Sequence, residues 1–114
     1  MTTPSETAFT IDTSSIKYGI GVTREVGYEI NRMGAKRVMV ITDPKLTDSD
    51  PVSTVMESLR AAGVDAVLFD QVSVEPTDIS MKQAIAFATA GSFDGYVAVG
   101  GGSSIDTAKT ANLY

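Results

Sequence analysis

Three runs of mostly apolar residues, RVMVIT at 37–42, AVLF at 66–69 and GYVAV at 95–99, leave this chain few ways to fold. All three read as strands, and the first, without polar alternation, reads as one covered on both faces. Between the first two, Val52, Val55, Met56 and Leu59 recur three and four apart, as on one face of a helix. Between the second and third, Ile79, Met81, Ile85, Ala86 and Ala88 are the candidates for burial on another helix. A further helix is expected from Ser104 onward. Alternation of strand and helix at this spacing predicts right-handed βαβ crossovers and a parallel sheet with helices on both faces. The fold class is therefore α/β and Rossmann-like, and 114 residues make room for one domain.

The punctuation agrees with this order. Residues 1–7 are polar and are expected to form a disordered lead, and the alternation in AFTID (8–12) and IKY (16–18) predicts two short strands of an edge hairpin. Gly19, Ile20 and Gly21 form a turn. Thr23 is the expected cap of a first helix whose apolar face carries Val26, Ile30 and Met33, with Gly34 as its left-handed stop. Thr77 is the expected cap of the later helix, Asp78 complements its dipole, and Gly91 ends it.

Charge and composition restrict the chemistry. Nine Lys and Arg against fourteen Asp and Glu give a net charge of −5, which disfavours the phosphate backbone of nucleic acid as a partner. There is no His and no Cys, so His-based zinc hydrolysis, a Ser-His-Asp triad and thiolate metal sites are excluded within this chain. No run approaches the ~20 apolar residues of a membrane span, and MTTPSETAF shows neither a signal-peptide nor an Arg-rich transit pattern. The expected location on these grounds is cytoplasmic.

In open α/β sheets ligands bind beyond the carboxyl ends of the strands, which directs attention to Asp43-Pro44, residues 73–77 and residues 100–106. Gly100, Gly101, Gly102 and Ser103 allow the backbone to approach a phosphate at a helix N-terminus, without any Lys. The same residues also suit a tight turn capped by Ser103 or Ser104. Asp43 is placed to accept hydrogen bonds from an adenine ribose, which predicts NAD over NADP, or else to start an Asp-Pro turn. Asp106 either complements the helix dipole or turns aside to a ligand hydroxyl, and Lys109 stands three residues on, within reach of it.

The GGGSSIDTAK block at 100–109 resembles the GGGS-x-x-D-x-x-K pattern of the iron-containing (group III) alcohol dehydrogenase family. Gly19-Ile20-Gly21, VITD at 40–43 and Pro76-Thr77 agree in order and spacing, with Glu75 where many members carry Asn. IDTSSIKYG at 11–19, VEPTD at 74–78 and ANLY at 111–114 are similar to the hydroxyacid-oxoacid transhydrogenase branch. The resemblance implies that residues 8–114 are an N-terminal dinucleotide-binding domain. Gly100, Gly101, Gly102 and Ser103 would hold the NAD pyrophosphate, Asp43 the adenine ribose, and Asp106 would lie near the reactive end. It also implies hydride transfer between a hydroxy substrate (an alcohol or a hydroxy/oxo acid) and the nicotinamide, with a possible homo-oligomer. The divalent metal, iron or zinc, would be held by one Asp and three His of a helical domain outside these residues. The alternative is a non-catalytic module that binds a nucleotide or phosphate and a partner.

Overall fold

The computed structural model describes residue 19, residues 21–72 and residues 77–113. The expected lead, the edge hairpin at 8–18 and most of the 73–77 loop lie outside the described residues. A 3-10 turn, Val22–Glu25, runs into α1 (Val26–Arg32); then come β1 (Arg37–Ile41), a short 3-10 turn (Pro44–Leu46), α2 (Asp50–Ala61) and β2 (Asp65–Phe69). The chain continues through α3 (Asp78–Gly91), β3 (Gly95–Ala98) and α4 (Gly102–Leu113).

The three strands form a parallel sheet in the order β2-β1-β3, with Val40 opposite both Leu68 and Val97. Val38, Met39, Val40 and Ile41 of the central strand are fully buried. This matches the expectation for the 37–42 run. The outer strands are only half-covered, since each lacks a neighbour on one side among the described residues.

Alternation along β1 divides the core. Val38 and Val40 pack with Val52, Val55, Met56 and Leu59 of α2, against which Val26 and Ile30 of α1 also rest. Met39 and Ile41 face the other way, onto Ala84 and Ala88 of α3 and Ala108 and Ala111 of α4. Each fully buried Val, Leu, Ile or Met contributes roughly 1.5–3 kcal/mol, so β1 is the energetic centre of the sheet.

Several local expectations fail for identifiable reasons. Met33 is 73% exposed because α1 ends at Arg32, which leaves Met33 past the last turn, ahead of the left-handed Gly34. Thr23 caps nothing through its side chain; it lies inside the 3-10 turn and gives its carbonyl to Val26 N–H. On α3 the buried row is Ser80, Ala84 and Ala88, whereas Ile79 is 72% exposed and Ala86 is also exposed. Small side chains occupy that face because α3 and α4 pack closely. Gly91 stays helical, and Ser92, at φ 52°, makes the left-handed stop. Thr77 does cap α3, in a reciprocal box with Ser80.

Candidate functional site

From β1 the chain crosses to β2 on one side; from β2 it passes over to β3 on the other. The helices that follow β1 and β3, α2 and α4, therefore lie on opposite faces of the sheet, and the carboxyl ends of β1 and β3 border a crevice at this change of direction. Thr42, fully buried just past β1, fixes that edge. Its N–H donates to Phe69 O at 3.0 Å, its Oγ1 donates to Val99 O at 2.8 Å, and Val99 N–H donates to Ile41 O at 2.8 Å. One threonine thus holds all three strand ends in register. Its position as the polar residue closing an apolar run was the available signal, and sequence reasoning gave it no role.

Beyond Val99 the four expected residues form a single structure. Gly100 turns the chain at φ 139°, a conformation closed to side chains, and α4 begins at Gly102 rather than at Ser104. A cap by Ser103 or Ser104 is thereby excluded, since both lie inside the helix. The first intrahelical bond runs from Ile105 N–H to Gly101 O at 3.2 Å. The N–H groups of Gly102, Ser103 and Ser104 precede it and have no intrahelical acceptor, which is the arrangement that receives anions.

The three glycines are not equivalent. A Cβ on Gly100 would stand 3.0 Å from Ser104 Oγ and 3.3 Å from Leu46 Cδ1, so the turn itself requires glycine there. Gly101 and Gly102 have neither a positive φ nor any atom within 4 Å of the place a Cβ would take, and both are exposed. Nothing among the described residues asks for glycine at these two positions.

Asp43 follows Thr42 at the tip of β1. Its backbone is extended, and its Oδ1 accepts the Lys45 N–H at 2.8 Å, which caps the short turn that Pro44 starts. The Asp-Pro turn is therefore formed, and it lies just past the carboxyl end of β1. Asp106 is exposed in the second turn of α4, past the helix end whose dipole it was expected to complement, and makes no ion pair with Lys109, which is itself exposed. The structure thus brings Asp43, Gly100, Gly101, Gly102 and Ser103 to one edge of the sheet and places Asp106 about one helical turn further on. A groove of about 440 Å³ lies elsewhere, between α2 and the open edge of β2, lined by Thr47, Ser53, Met56, Arg60 and Leu68 among others, and neither residue 43 nor residues 100–106 border it.

The opposite end of the sheet is closed. Asp94 accepts the N–H groups of Lys36 and Arg37 at 2.9 Å each, and these bonds hold its carboxyl below the usual range. Arg37 donates from Nε to Gly91 O at 2.7 Å, pairs with Asp65, and covers the Phe93 ring at 5.0 Å. Polar groups are paired at the amino ends of the strands and left open at the carboxyl ends.

A parallel sheet with a glycine turn and a helix N-terminus at its change of direction defines a Rossmann-like nucleotide-binding fold. The chain belongs to the iron-containing alcohol dehydrogenase family, whose profile matches residues 13–114. It is 53% identical over 107 residues to the mitochondrial hydroxyacid-oxoacid transhydrogenase of Bos taurus and 51% identical to that of Homo sapiens, in each case across 94% of this chain and 23% of the relative. Among solved structures it resembles a 1,3-propanediol oxidoreductase (31% identity, TM-score 0.76, 80% of this chain and 24% of that one). It also resembles the NADH-dependent butanol dehydrogenase A of Thermotoga maritima (25% identity, TM-score 0.83, 94% and 28%). The chain spans about a quarter of the length of the relatives it matches. The cytoplasmic expectation is overturned by these transhydrogenases, which are mitochondrial. It rested on the lack of a membrane-length apolar run and of a leader pattern in the first nine residues, which are weaker guides to compartment than relatives this similar.

Proposed function

We propose that residues 8–114 are the dinucleotide-binding part of a hydroxyacid-oxoacid transhydrogenase or related alcohol dehydrogenase, with NAD as the cofactor. The observation that carries this reading is the bare backbone of Gly101 and Gly102. The described residues impose no conformational or packing need for glycine there, whereas a diphosphate in contact with the main chain does. The unpaired N–H groups at the start of α4 supply donors and the positive end of the helix dipole, worth ~0.3–1 kcal/mol at an exposed terminus. In a chain of net charge −5 this is how an anion is bound without basic side chains. Ser103 adjoins these donors. Asp43, already oriented by its bond to Lys45 N–H, offers a carboxylate to the ribose hydroxyls and repels a 2′-phosphate. Asp106 stands toward the nicotinamide side.

The cofactor supplies hydride chemistry when bound; these residues bind it, orient it and select it. The substrate is a hydroxy acid or alcohol and its oxo counterpart. The iron or zinc of that reaction does not fit the residues described. No group of three or more metal-ligating side chains converges among them, and the sequence has neither His nor Cys, so no step through a metal is derived.

Calorimetric titration with NAD and NADP, comparing wild type with Asp43→Asn, tests the reading. Asn caps a turn as well as Asp does, so the variant removes charge and keeps the fold. Wild type is expected to favour NAD by about tenfold or more, and the variant to lose most of that preference, an effect of ~1.4 kcal/mol. Absence of NAD binding to wild type would refute the assignment of the turn. An unchanged NAD to NADP ratio would refute the role of Asp43.

A further inference from the structure

Ser104 is 1% exposed, and its Oγ has no hydrogen-bond partner. A buried hydroxyl in that condition is uncommon and calls for an explanation. The other hydroxyls along α4 show the ordinary outlet: Thr107 donates to Ser103 O at 2.7 Å and Thr110 to Asp106 O at 3.0 Å, each four residues back. Ser104 lacks that outlet because the residue four back is Gly100, which lies outside the helix in the turn at φ 139°.

The hydroxyl instead faces the space left by the missing side chain of Gly100, where a Cβ would lie 3.0 Å from Ser104 Oγ. A side chain there would seal the hydroxyl off; with glycine, only the hydrogens of its Cα and the apolar Leu46 Cδ1, 3.3 Å from the same point, bound that side. Gly100 itself is exposed while the Ser104 hydroxyl is covered, so contact with a ligand requires the turn to yield at this glycine.

We propose that the buried Ser104 hydroxyl is a ligand-binding group that donates to a diphosphate oxygen of the dinucleotide seated over Gly100. This rests on the assignment of the glycine turn above and adds one buried donor to its exposed amides. Gly100 then has two functions: it turns the chain, and it is where the turn yields so that Ser104 is reached. Sequence reasoning weighed Ser104 only as a cap, because nothing in the spacing distinguishes a capping hydroxyl from one turned beneath the preceding glycine.

The test compares the 114-residue chain with Ser104→Ala, by titrations with NAD and with inorganic pyrophosphate followed through backbone amide shifts, and by thermal unfolding without ligand. Removal of an unpartnered hydroxyl is expected to leave the unliganded Tm unchanged or raised while both affinities fall about tenfold. If wild type binds NAD and the variant binds within twofold of it, Ser104 has no such role and the assignment of the turn stands. If wild type binds neither ligand, both fall. A lower unliganded Tm in the variant identifies Ser104 as a packing residue and overturns the proposal.

Discussion

The same substitution at three successive positions should have effects of opposite sign. Alanine at Gly100 introduces a Cβ where φ is 139°, 3.0 Å from Ser104 Oγ and 3.3 Å from Leu46 Cδ1. Backbone strain of this kind costs ~1–3 kcal/mol, and relief would require moving the first turn of α4. Alanine at Gly101 or Gly102 meets no atom within 4 Å and needs no positive φ. There the gain from restricting the unfolded chain is ~0.4–1 kcal/mol, and at Gly102 the added helix propensity acts in the same direction. One kcal/mol corresponds to about 4 °C in Tm for a domain of this size, so Gly100→Ala should melt roughly 4–12 °C lower than wild type, and Gly101→Ala roughly 2–4 °C higher. Binding should not follow stability. A methyl on Gly101 or Gly102 occupies the approach to the amides, and NAD affinity is expected to fall at least tenfold, or ~1.4 kcal/mol, in the more stable proteins. Thermal unfolding and calorimetric titration on the same samples decide the matter. If Gly101→Ala is as unstable as Gly100→Ala, the turn needs glycine at both positions for its own sake, and the inference to a ligand fails. It fails equally if Gly101→Ala binds NAD like wild type.

Two further predictions concern stability. Gly27 is buried in α1, where a Cβ would stand 2.0 Å from the backbone oxygen of Ser58 on α2; its N–H donates to Ser58 Oγ at 2.9 Å, which in turn donates to Arg24 O at 2.6 Å. Overpacking against main chain costs up to ~3 kcal/mol, and the helix-propensity gain of alanine returns ~1, so Gly27→Ala should lose ~2 kcal/mol in urea denaturation; a stabilised variant would mean that α1 is not docked as described. Asp94 has a carboxyl pKa lowered by the Lys36 and Arg37 N–H groups, so at mildly acidic pH the unfolded chain binds more protons there than the folded one. Its contribution is present above the unfolded pKa and is lost as pH falls through the lower folded value. Asp94→Asn should flatten the acid limb of the stability profile, and an identical limb in the variant would contradict this.

The legibility of the fold varied with the size of the side chains that carry it. Helix α2 was readable because Val52, Val55, Met56 and Leu59 are large and all four are buried. The α3 face was misread because the helices meet through Ser80, Ala84 and Ala88, residues with little hydrophobic signal, while the more conspicuous Ile79 points to solvent. Close approach of helices favours the residues that periodicity weights least. The face of α1 was legible at Val26 and Ile30, which pack on the core, and failed only at Met33, which lies past the helix end. The turns at Asp43 and at the glycines were legible because strand ends, prolines and glycine runs are local signals. Ser104 and Thr42 were not, since their roles depend on which atoms the fold brings to them from Gly100, Phe69 and Val99.

The contrast between the two ends of the sheet accounts for where binding is placed. At the amino ends, Asp94 takes up the N–H groups of Lys36 and Arg37, and the Arg37 side chain is committed to Gly91 O, Asp65 and the Phe93 ring. Those groups are satisfied and stabilise the fold. At the carboxyl ends, Thr42 secures the strands, but the amides opening α4 and the Ser104 hydroxyl have no acceptor or donor supplied by the described chain. Leaving a buried hydroxyl unpaired costs ~1–3 kcal/mol, a large share of the 5–15 kcal/mol that holds a typical domain together. A sequence that can pair its polar groups so fully at one end, with an aspartate clamp and a cation over an aromatic ring, has the means to do so at the other. That cost is instead located at the change of direction, beside two glycines the backbone does not need, where an anion with several oxygens would relieve it on binding.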